Sequence, residues 1–274
     1  MKRLVTIQDI SCFGKCSTTA ALPIISAFGI ETVVLPTAIL STHTGEFKDY
    51  SFLPLIDEMT KIIEHWKKEK LTFDAIYVGY IGTLEQIKII SDFIDYFKGK
   101  NTIVCIDPAM ADNGVLYSGL CEAYPKAIKE LLEKADIITP NIYEAMLLSD
   151  GVCKKDYKLD EALALLDNLS KLSGKTIITG VNQDSEIFTL GKDTENKKLI
   201  SKKNSKVPGM YYGTGDVFSS VFIASFLNGL SFEDAISFAD DFVQKSIAAT
   251  LEDDNNYWYG ICYEKCLDII TDHF

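Results

Sequence analysis

The regular alternation of short apolar segments with longer helical segments is the feature that most constrains the fold of this chain. Six short segments are rich in Val, Ile and Thr, and most are apolar throughout, at 4–8, 32–35, 75–78, 102–106, 137–139 and 176–179. Such runs are typical of strands that are buried on both faces of a sheet. Segments with apolar residues at helical spacing separate them, so we expect βαβ units and a mostly parallel sheet.

The helical segments complete a layered arrangement. They are predicted at 17–28, 53–68, 84–97, 125–134 and 159–172. Two antiparallel edge strands are then expected at 185–190 and 198–202, around a turn at Gly191-Lys192-Asp193, and three helices close the chain at 217–228, 231–251 and 259–270. No linker-like stretch divides the sequence, so we predict one α/β domain over residues 1–274, a three-layer αβα fold with helices on both faces of the sheet.

Composition excludes several classes of protein. The net charge of −12 would repel a phosphate backbone, so we expect no nucleic-acid partner. No apolar stretch reaches the length of a membrane span, and the N-terminus is too short in its apolar part for a signal peptide, which predicts a soluble, cytoplasmic protein with no membrane partner. Seven scattered cysteines indicate free thiols, and a zinc site at Cys12/Cys16 and Cys262/Cys266 is the less favoured alternative.

Polar residues or glycines follow each of the six predicted strands. The segments are Gln8-Asp9, Ser41-Thr42-His43-Thr44-Gly45, Gly79-Tyr80-Ile81-Gly82, Asp107-Pro108, Thr139-Pro140-Asn141-Ile142-Tyr143-Glu144 and Thr179-Gly180. Ligands of open parallel sheets bind at the carboxyl ends of the strands. We therefore predict a ligand crevice along this edge of the sheet.

A glycine-rich segment, Gly213-Thr214-Gly215-Asp216, precedes a strongly apolar helix. The glycines allow backbone N–H groups to approach an anion, and the helix dipole favours negative charge at the same place. Asp216 can cap this helix or take a proton from a substrate hydroxyl, and the local pattern leaves both roles open. A P-loop at Phe13-Gly14-Lys15-Cys16-Ser17 is rejected, because Asp9 stands where that motif requires its first glycine.

Two smaller groups each allow two interpretations. Asp107, Asn141 and Glu144 can hold a hydrated Mg²⁺, which prefers few carboxylates together with water and phosphate. Alternatively, Asn141 and Glu144 cap a helix. His43, flanked by Thr42 and Thr44, either contacts a substrate or is a hydrogen-bonded loop residue.

Taken together, these segments resemble the ribokinase-like superfamily, and more closely its pyridoxal (vitamin B6) kinase branch. The resemblance extends along nearly the whole chain. It is carried by Gln8, Thr42-His43-Thr44, Gly79-Tyr80-Ile81-Gly82-Thr83, Cys105-Ile106-Asp107-Pro108-Ala109-Met110, Thr139-Pro140-Asn141-Ile142-Tyr143-Glu144 and Gly213-Thr214-Gly215-Asp216.

The resemblance implies a kinase that uses ATP and Mg²⁺ to phosphorylate the 5′-hydroxymethyl group of pyridoxal, pyridoxamine or pyridoxine. Asp216 would be the base, and the backbone N–H groups of Gly213, Thr214 and Gly215 would stabilise the transferring phosphoryl group. The implied metal ligands are Asp107 and Glu144. The implied vitamer site comprises Asp9, His43, Thr44 and Tyr80, and the implied ATP site comprises Asp107, Thr139, Asn141, Glu144, Thr179 and Gly180. The resemblance also implies a homodimer and leaves a requirement for K⁺ open.

Two residues depart from the pattern of these kinases. Asp9 replaces the usual serine, which predicts a preference for a cationic vitamer such as pyridoxamine or for a different ring. Thr179-Gly180 lacks the lysine of many relatives at the end of the sixth strand, and Lys202, Lys203 or Lys206 is the predicted replacement. Hydroxymethylpyrimidine kinase, of the same fold, and a non-catalytic vitamer- or nucleotide-binding protein remain the alternatives.

Overall fold

The computed structural model describes residues 1–149, 153–255 and 257–274. A sheet of nine strands runs through this part of the chain in the order β11-β10-β9-β8-β5-β4-β1-β2-β3. Its strands are β1 (Arg3–Ser11), β2 (Glu31–Leu40), β3 (Phe52–Pro54), β4 (Ala75–Val78), β5 (Ile103–Ile106), β8 (Ile137–Ile138), β9 (Lys175–Gln183), β10 (Glu186–Asp193) and β11 (Lys198–Ser205). A separate hairpin is formed by β6 (Ala111–Asp112) and β7 (Val115–Leu116).

The six strands predicted from the apolar runs are parallel to one another in this sheet. Strand β10 is antiparallel to both β9 and β11, and β3 is antiparallel to β2. Strand β11 therefore runs in the same direction as β9, and its C-terminal end points towards the edge where the parallel strands end. The predicted α/β fold with a mostly parallel sheet is confirmed.

Helices cover both faces of the sheet. They are α1 (Thr18–Ala27), α2 (Ile56–Lys68), α3 (Leu84–Phe97), α4 (Tyr124–Leu132), α5 (Ile142–Leu148), α6 (Leu159–Leu169), α7 (Thr214–Leu227), α8 (Phe232–Leu251) and α9 (Leu267–His273). Helices α2 to α6 pack their apolar side chains on one face, and α1, α7, α8 and α9 pack on the other. The apolar helix α7 is buried along most of its length, as its sequence predicts.

Three predicted elements differ from the structure. Gly191, Lys192 and Asp193 belong to β10 and not to a turn, because they pair with β9 on one side and β11 on the other. The turn follows at residues 194–197, where the Asp193 carboxylate accepts N–H groups of Glu195 and Asn196. Residues 52–54, partly assigned to a helix, form the edge strand β3 instead.

The last predicted helix, 259–270, is shorter and begins later. A 3₁₀ turn spans Tyr263–Cys266 and leads into α9, whereas residues 259–262 are irregular. The irregular backbone has a physical cause, since the carbonyl of Tyr259 is hydrogen-bonded to His43 and Gly260 lies tightly against the Lys15 side chain.

The β6–β7 hairpin was not predicted. Its turn, Asn113-Gly114, has positive φ at both residues (52° and 79°), the conformation that tight two-residue hairpins favour. This hairpin brings Asp112 close enough to Asp107, Glu144 and Asp216 for its charge to raise their pKa values. All seven cysteines are free, and no helix in the described ranges is long and apolar enough to cross a membrane.

Candidate active site

The glycine-rich segment forms a turn at the start of α7. Gly213 has a φ of 79°, in the left-handed region, and precedes the first helical residue, Thr214. A Cβ at Gly213 would overlap the carbonyl oxygen of Lys15, so only glycine fits between this turn and the loop that follows β1. No side chain caps the helix, so the N–H groups of its first turn remain available to an anion.

Asp216 is the third residue of α7 and not its N-cap, because Gly213 occupies the cap position. The interpretation of Asp216 as a plain helix cap is therefore wrong. Its half-buried carboxylate accepts a hydrogen bond from the backbone N–H of Ser17. Burial raises the pKa of Asp216 to about 8, and the negative charges of Asp107, Asp9 and Asp112 act in the same direction. A carboxyl group with a pKa near neutrality is suited to exchange a proton with a substrate hydroxyl.

Asp107, after β5, is joined to α7 by a short chain of buried hydroxyl groups. The Ser219 Oγ donates to Asp107 Oδ2 at 2.9 Å and lies 3.0 Å from Thr139 Oγ1. Burial raises the pKa of Asp107 to about 7, although the hydrogen bond from Ser219 opposes this shift. The predicted residues Asp107 and Thr139 are thus adjacent, and Ser219 connects them to the helix that carries Asp216.

Glu144 and Asn141 form a reciprocal cap at the start of α5. Asn141 Oδ1 accepts the N–H groups of Tyr143 and Glu144, and Glu144 Oε2 accepts the N–H of Asn141 at 2.8 Å. The other carboxylate oxygen of Glu144 accepts the N–H of Met110 at 2.9 Å. Both oxygens of this buried side chain are therefore engaged, and burial raises its pKa well above the usual range.

The fit to a Mg²⁺ ion depends on the donors that remain free. In the described part of the chain, no three His, Cys, Asp or Glu side chains are grouped closely enough to hold a metal by themselves. Mg²⁺ is commonly held by one or two carboxylates together with water and the phosphates of the nucleotide. Asp107 and Asp112 offer carboxylate oxygens for this arrangement, and Glu144 retains lone pairs beside its backbone hydrogen bonds.

Asp9 lies near the end of β1 and is only 2% exposed. Ser11 Oγ donates to its carboxylate at 2.8 Å, and Ser17 donates a second hydrogen bond. Burial raises the pKa of Asp9, and its charge in turn raises the pKa values of Tyr80 and Asp216. Asp9 therefore lies near both Tyr80, another predicted vitamer residue, and the predicted base Asp216.

His43 has a different environment from the other predicted vitamer residues. Its Nε2 lies 2.8 Å from the carbonyl oxygen of Tyr259, and its Nδ1 accepts the N–H of Gly45 at 3.0 Å. Because both ring nitrogens are bonded to backbone groups, the structure favours the hydrogen-bonded loop interpretation. Thr44 is half-buried in the same loop.

Thr179 and Gly180 lie in β9, where Thr179 is bridged to Asn141. Gly180 has a φ of 70° and open space where a side chain would stand. Of the three lysines proposed as replacements for the missing one, Lys202 pairs with Asp241 at 3.0 Å and Lys203 with Glu186 at 2.8 Å. Lys206 follows β11 and has no carboxylate partner among the described residues.

Two residues of this site were missed at the sequence level. Asp112 lies in β6, and its charge raises the pKa values of Asp107, Asp216 and Glu144. The Asn113-Gly114 pair that follows it is a hairpin signal that could have located it. Ser219 stands three residues after Asp216, a helical spacing that places both side chains on one side of α7.

A model of the phosphomethylpyrimidine kinase family matches residues 16–258 of this chain. The site built on Gly213 and Asp216 and the αβα fold agree with a kinase of the ribokinase-like superfamily. The chain belongs to the phosphomethylpyrimidine kinase family, within which it is pyridoxal kinase-like.

Similar proteins span nearly the whole length of the chain. The pyridoxal kinase PdxY of Pasteurella multocida is 27% identical over 93% of this chain and 91% of its own length. A Bacteroides thetaiotaomicron protein assigned to the phosphomethylpyrimidine kinases, crystallised with pyridoxal, is 36% identical, with a TM-score of 0.94 over 98% of this chain and 95% of its own. A Lactobacillus plantarum pyridoxal kinase is 25% identical, with a TM-score of 0.90 over 100% of this chain and 98% of its own.

Proposed function

We propose that this protein transfers the γ-phosphoryl group of ATP to the 5′-hydroxymethyl group of a vitamin B6 vitamer. The observation that carries the proposal is the position of Asp216 in the first turn of α7, beside the uncapped N–H groups that follow Gly213. A base and an anion-binding turn are thereby adjacent, which is the arrangement that transfer to a hydroxyl group requires.

In the proposed reaction, Asp216 accepts the proton of the hydroxymethyl group. The hydroxymethyl oxygen then bonds to the γ-phosphorus of ATP as the bond between that phosphorus and the leaving ADP breaks. The N–H groups of Thr214 and Gly215 would stabilise the negative charge of the transferring phosphoryl group. Mg²⁺, held by Asp107 and Asp112 through oxygen or water, would neutralise charge on the nucleotide phosphates. This requirement is strong here, since carboxylates crowd the crevice and would otherwise repel a triphosphate.

A B6 vitamer is favoured over a hydroxymethylpyrimidine by two observations. The Bacteroides relative at 36% identity was crystallised with pyridoxal, although it is assigned to the phosphomethylpyrimidine kinases. The pyridoxal kinase PdxY of Pasteurella multocida matches along 93% of the chain. Pyridoxal kinase structures from Leishmania donovani at 23% identity contain ADP with pyridoxamine or pyridoxine and agree in fold.

The proposal is tested by measuring ADP release in a coupled assay with pyridoxal, pyridoxamine, pyridoxine and hydroxymethylpyrimidine. We expect vitamer-dependent ADP production with a kcat/KM at least tenfold above that for the pyrimidine. A higher value for the pyrimidine would reassign the enzyme to hydroxymethylpyrimidine phosphorylation. Tight vitamer binding without ADP production would favour a non-catalytic binding protein.

We extend the proposal, on the resemblance alone, to a single kinase domain that acts in the cytoplasm as a homodimer. Sedimentation equilibrium of the purified chain of 30.5 kDa distinguishes a dimer from a monomer. A species at the monomer mass over the whole concentration range would contradict the dimer.

A further inference from the structure

His43 lies where four loop segments meet beside the anion-binding turn. Its ring packs against Phe47 with centroids 4.9 Å apart and against Tyr212 with centroids 5.3 Å apart. Tyr212 immediately precedes Gly213. We call the segments 13–15, 43–47, 211–213 and 257–260 the loop cluster, because each contacts at least one of the others around His43.

The loop cluster is packed too tightly for side chains at several glycines. A Cβ at Gly14 would overlap the His43 ring, and a Cβ at Gly45 would lie 2.5 Å from the Tyr212 ring. A Cβ at Gly260 would lie 2.6 Å from Lys15 Cβ. Since such distances are far below van der Waals contact, a shift of one segment must displace its neighbours.

The hydrogen bonds of His43 fix the relative positions of two of these segments. Nδ1 accepts the N–H of Gly45, so Nε2 carries the proton and donates it to the carbonyl oxygen of Tyr259. The side chain is 5% exposed, and neither nitrogen remains free for a ligand. The ring thus joins the loop after β2 to the irregular segment before the 3₁₀ turn, while its face supports Tyr212.

We propose that His43 is a positioning residue that holds the anion-binding turn in place through Tyr212 and Gly45. It does not contact the vitamer through its ring nitrogens. The inference rests on the proposed kinase function, which assigns the N–H groups after Gly213 to the transferring phosphoryl group. A displacement of this turn by about 1 Å would be sufficient to cost roughly 10²-fold in turnover.

The test compares His43→Ala with His43→Asn, which retains an acceptor near the Nδ1 position, and His43→Gln, which retains a donor near the Nε2 position. We expect kcat to fall about 10²-fold in His43→Ala, with an almost unchanged KM for the vitamer. The Asn and Gln variants should lie between His43→Ala and the wild type, since each keeps one bond. The matched control is His65→Ala, on the exposed side of α2.

Two further measurements do not depend on turnover. His43→Ala should weaken the binding of a non-hydrolysable ATP analogue more than the binding of ADP, because only the analogue places a γ-phosphate at the turn. The ¹⁵N spectrum of the wild-type imidazole at neutral pH should show the Nε2–H tautomer. These results would stand even if no vitamer were phosphorylated, so failure of the proposed function remains distinguishable from failure of this inference.

Four outcomes would overturn the inference. A raised KM for the vitamer with an intact kcat would make His43 a substrate contact. Equal losses for ADP and the analogue, or a lower melting temperature with unchanged kinetics, would reduce it to a structural residue. An Nδ1–H tautomer would contradict the bonding on which the inference is built.

Discussion

Asp9 stands where the pyridoxal kinases that this chain resembles usually have a serine. Its buried carboxylate is held by hydroxyl donors and lies close enough to Tyr80 and Asp216 to raise their pKa values. Burial raises the pKa of Asp9 itself. A cationic group on the substrate would act in the opposite direction and favour the ionised carboxylate. The residue can therefore influence both the choice of vitamer and the basicity of Asp216.

Replacement of Asp9 by serine should lower the preference for pyridoxamine. We expect the ratio of kcat/KM for pyridoxamine to that for pyridoxal to fall roughly tenfold, the equivalent of about 1.4 kcal/mol for a lost charge-assisted contact. Steady-state kinetics on both vitamers measures this ratio. Asp9→Asn is the control that removes charge at constant size, and unchanged ratios in both variants would show that Asp9 does not select the substrate.

The pH dependence of activity should report the protonation of Asp216. Its pKa is raised to about 8, and the ionised form is the base, so kcat/KM for ATP should rise from pH 6 through a midpoint near pH 8 and level off only above about pH 9. Added Mg²⁺ should move this rise to lower pH, because a nearby cation favours the carboxylate. A profile that is flat from pH 6 to 9 at every Mg²⁺ concentration would disprove this assignment.

At the scale of elements, the N-terminus of α7 and the C-terminal end of β11 lie at the same edge of the sheet, where we propose that a nucleotide binds. Strand β11 runs parallel to β9, so Lys206 leaves the sheet on the side where Gly180 lies. Lys202 and Lys203 are paired with carboxylates, which leaves Lys206 as the best placed of the three to contact a nucleotide phosphate.

Replacement of Lys206 by glutamine should therefore weaken nucleotide binding. We expect KM for ATP to increase by up to roughly tenfold, with a vitamer KM that changes little, because the substitution removes a charge-assisted contact to a phosphate. The matched control is Lys203→Gln, whose lysine already pairs with Glu186. Equal effects of the two variants would indicate a general loss of positive charge and not a contact from Lys206.

The elements also show what the sequence could predict. Strands that are buried on both faces leave uninterrupted apolar runs, and β4 is predicted with its observed bounds. Apolar residues at helical spacing do the same for α3. Residues whose backbone is fixed by distant partners leave no local pattern. The segment 259–262 is irregular because His43 and Lys15 contact it, and Gly191 remains in a strand because it pairs with both β9 and β11.

The same distinction applies to the site. Asp107 and Asp216 follow recognisable local motifs, whereas the role of Ser219 depends on a contact across 112 residues of sequence. Whether Asp216 caps its helix could not be decided locally either. The answer depends on Gly213, which occupies the cap position in a left-handed conformation and lies too close to the Lys15 carbonyl for any side chain.

At the scale of the whole molecule, the crevice concentrates negative charge in a chain whose net charge is already −12. Asp9, Asp107, Asp112, Asp216 and Glu144 all have raised pKa values, for which burial is the first cause. The folded protein therefore binds more protons than the unfolded chain in the range between the ordinary carboxyl pKa and these raised values. The crevice lowers stability at neutral pH in the absence of a cation.

The free energy of unfolding should consequently fall as pH rises from 5 to 8. The stability that protonated Asp216 contributes is lost as the pH rises from 3.8, the ordinary pKa, to about 8, the pKa in the folded protein. For Asp107 the corresponding range is from 3.8 to about 7. Urea denaturation across this range should show a shallower decline in Asp216→Asn than in the wild type. The control is Asp92→Asn on the exposed side of α3, which should retain the wild-type slope.

The measurement that tests the account most directly is single-turnover phosphorylation of pyridoxal by Asp216→Asn with saturating Mg·ATP. We predict a rate about 10²–10⁴ below that of the wild type, with nucleotide and vitamer affinities retained, because the substitution removes the base and preserves the turn after Gly213. Wild-type rates in a variant that still binds both substrates would show that Asp216 is not the base and would contradict the mechanism proposed for this site.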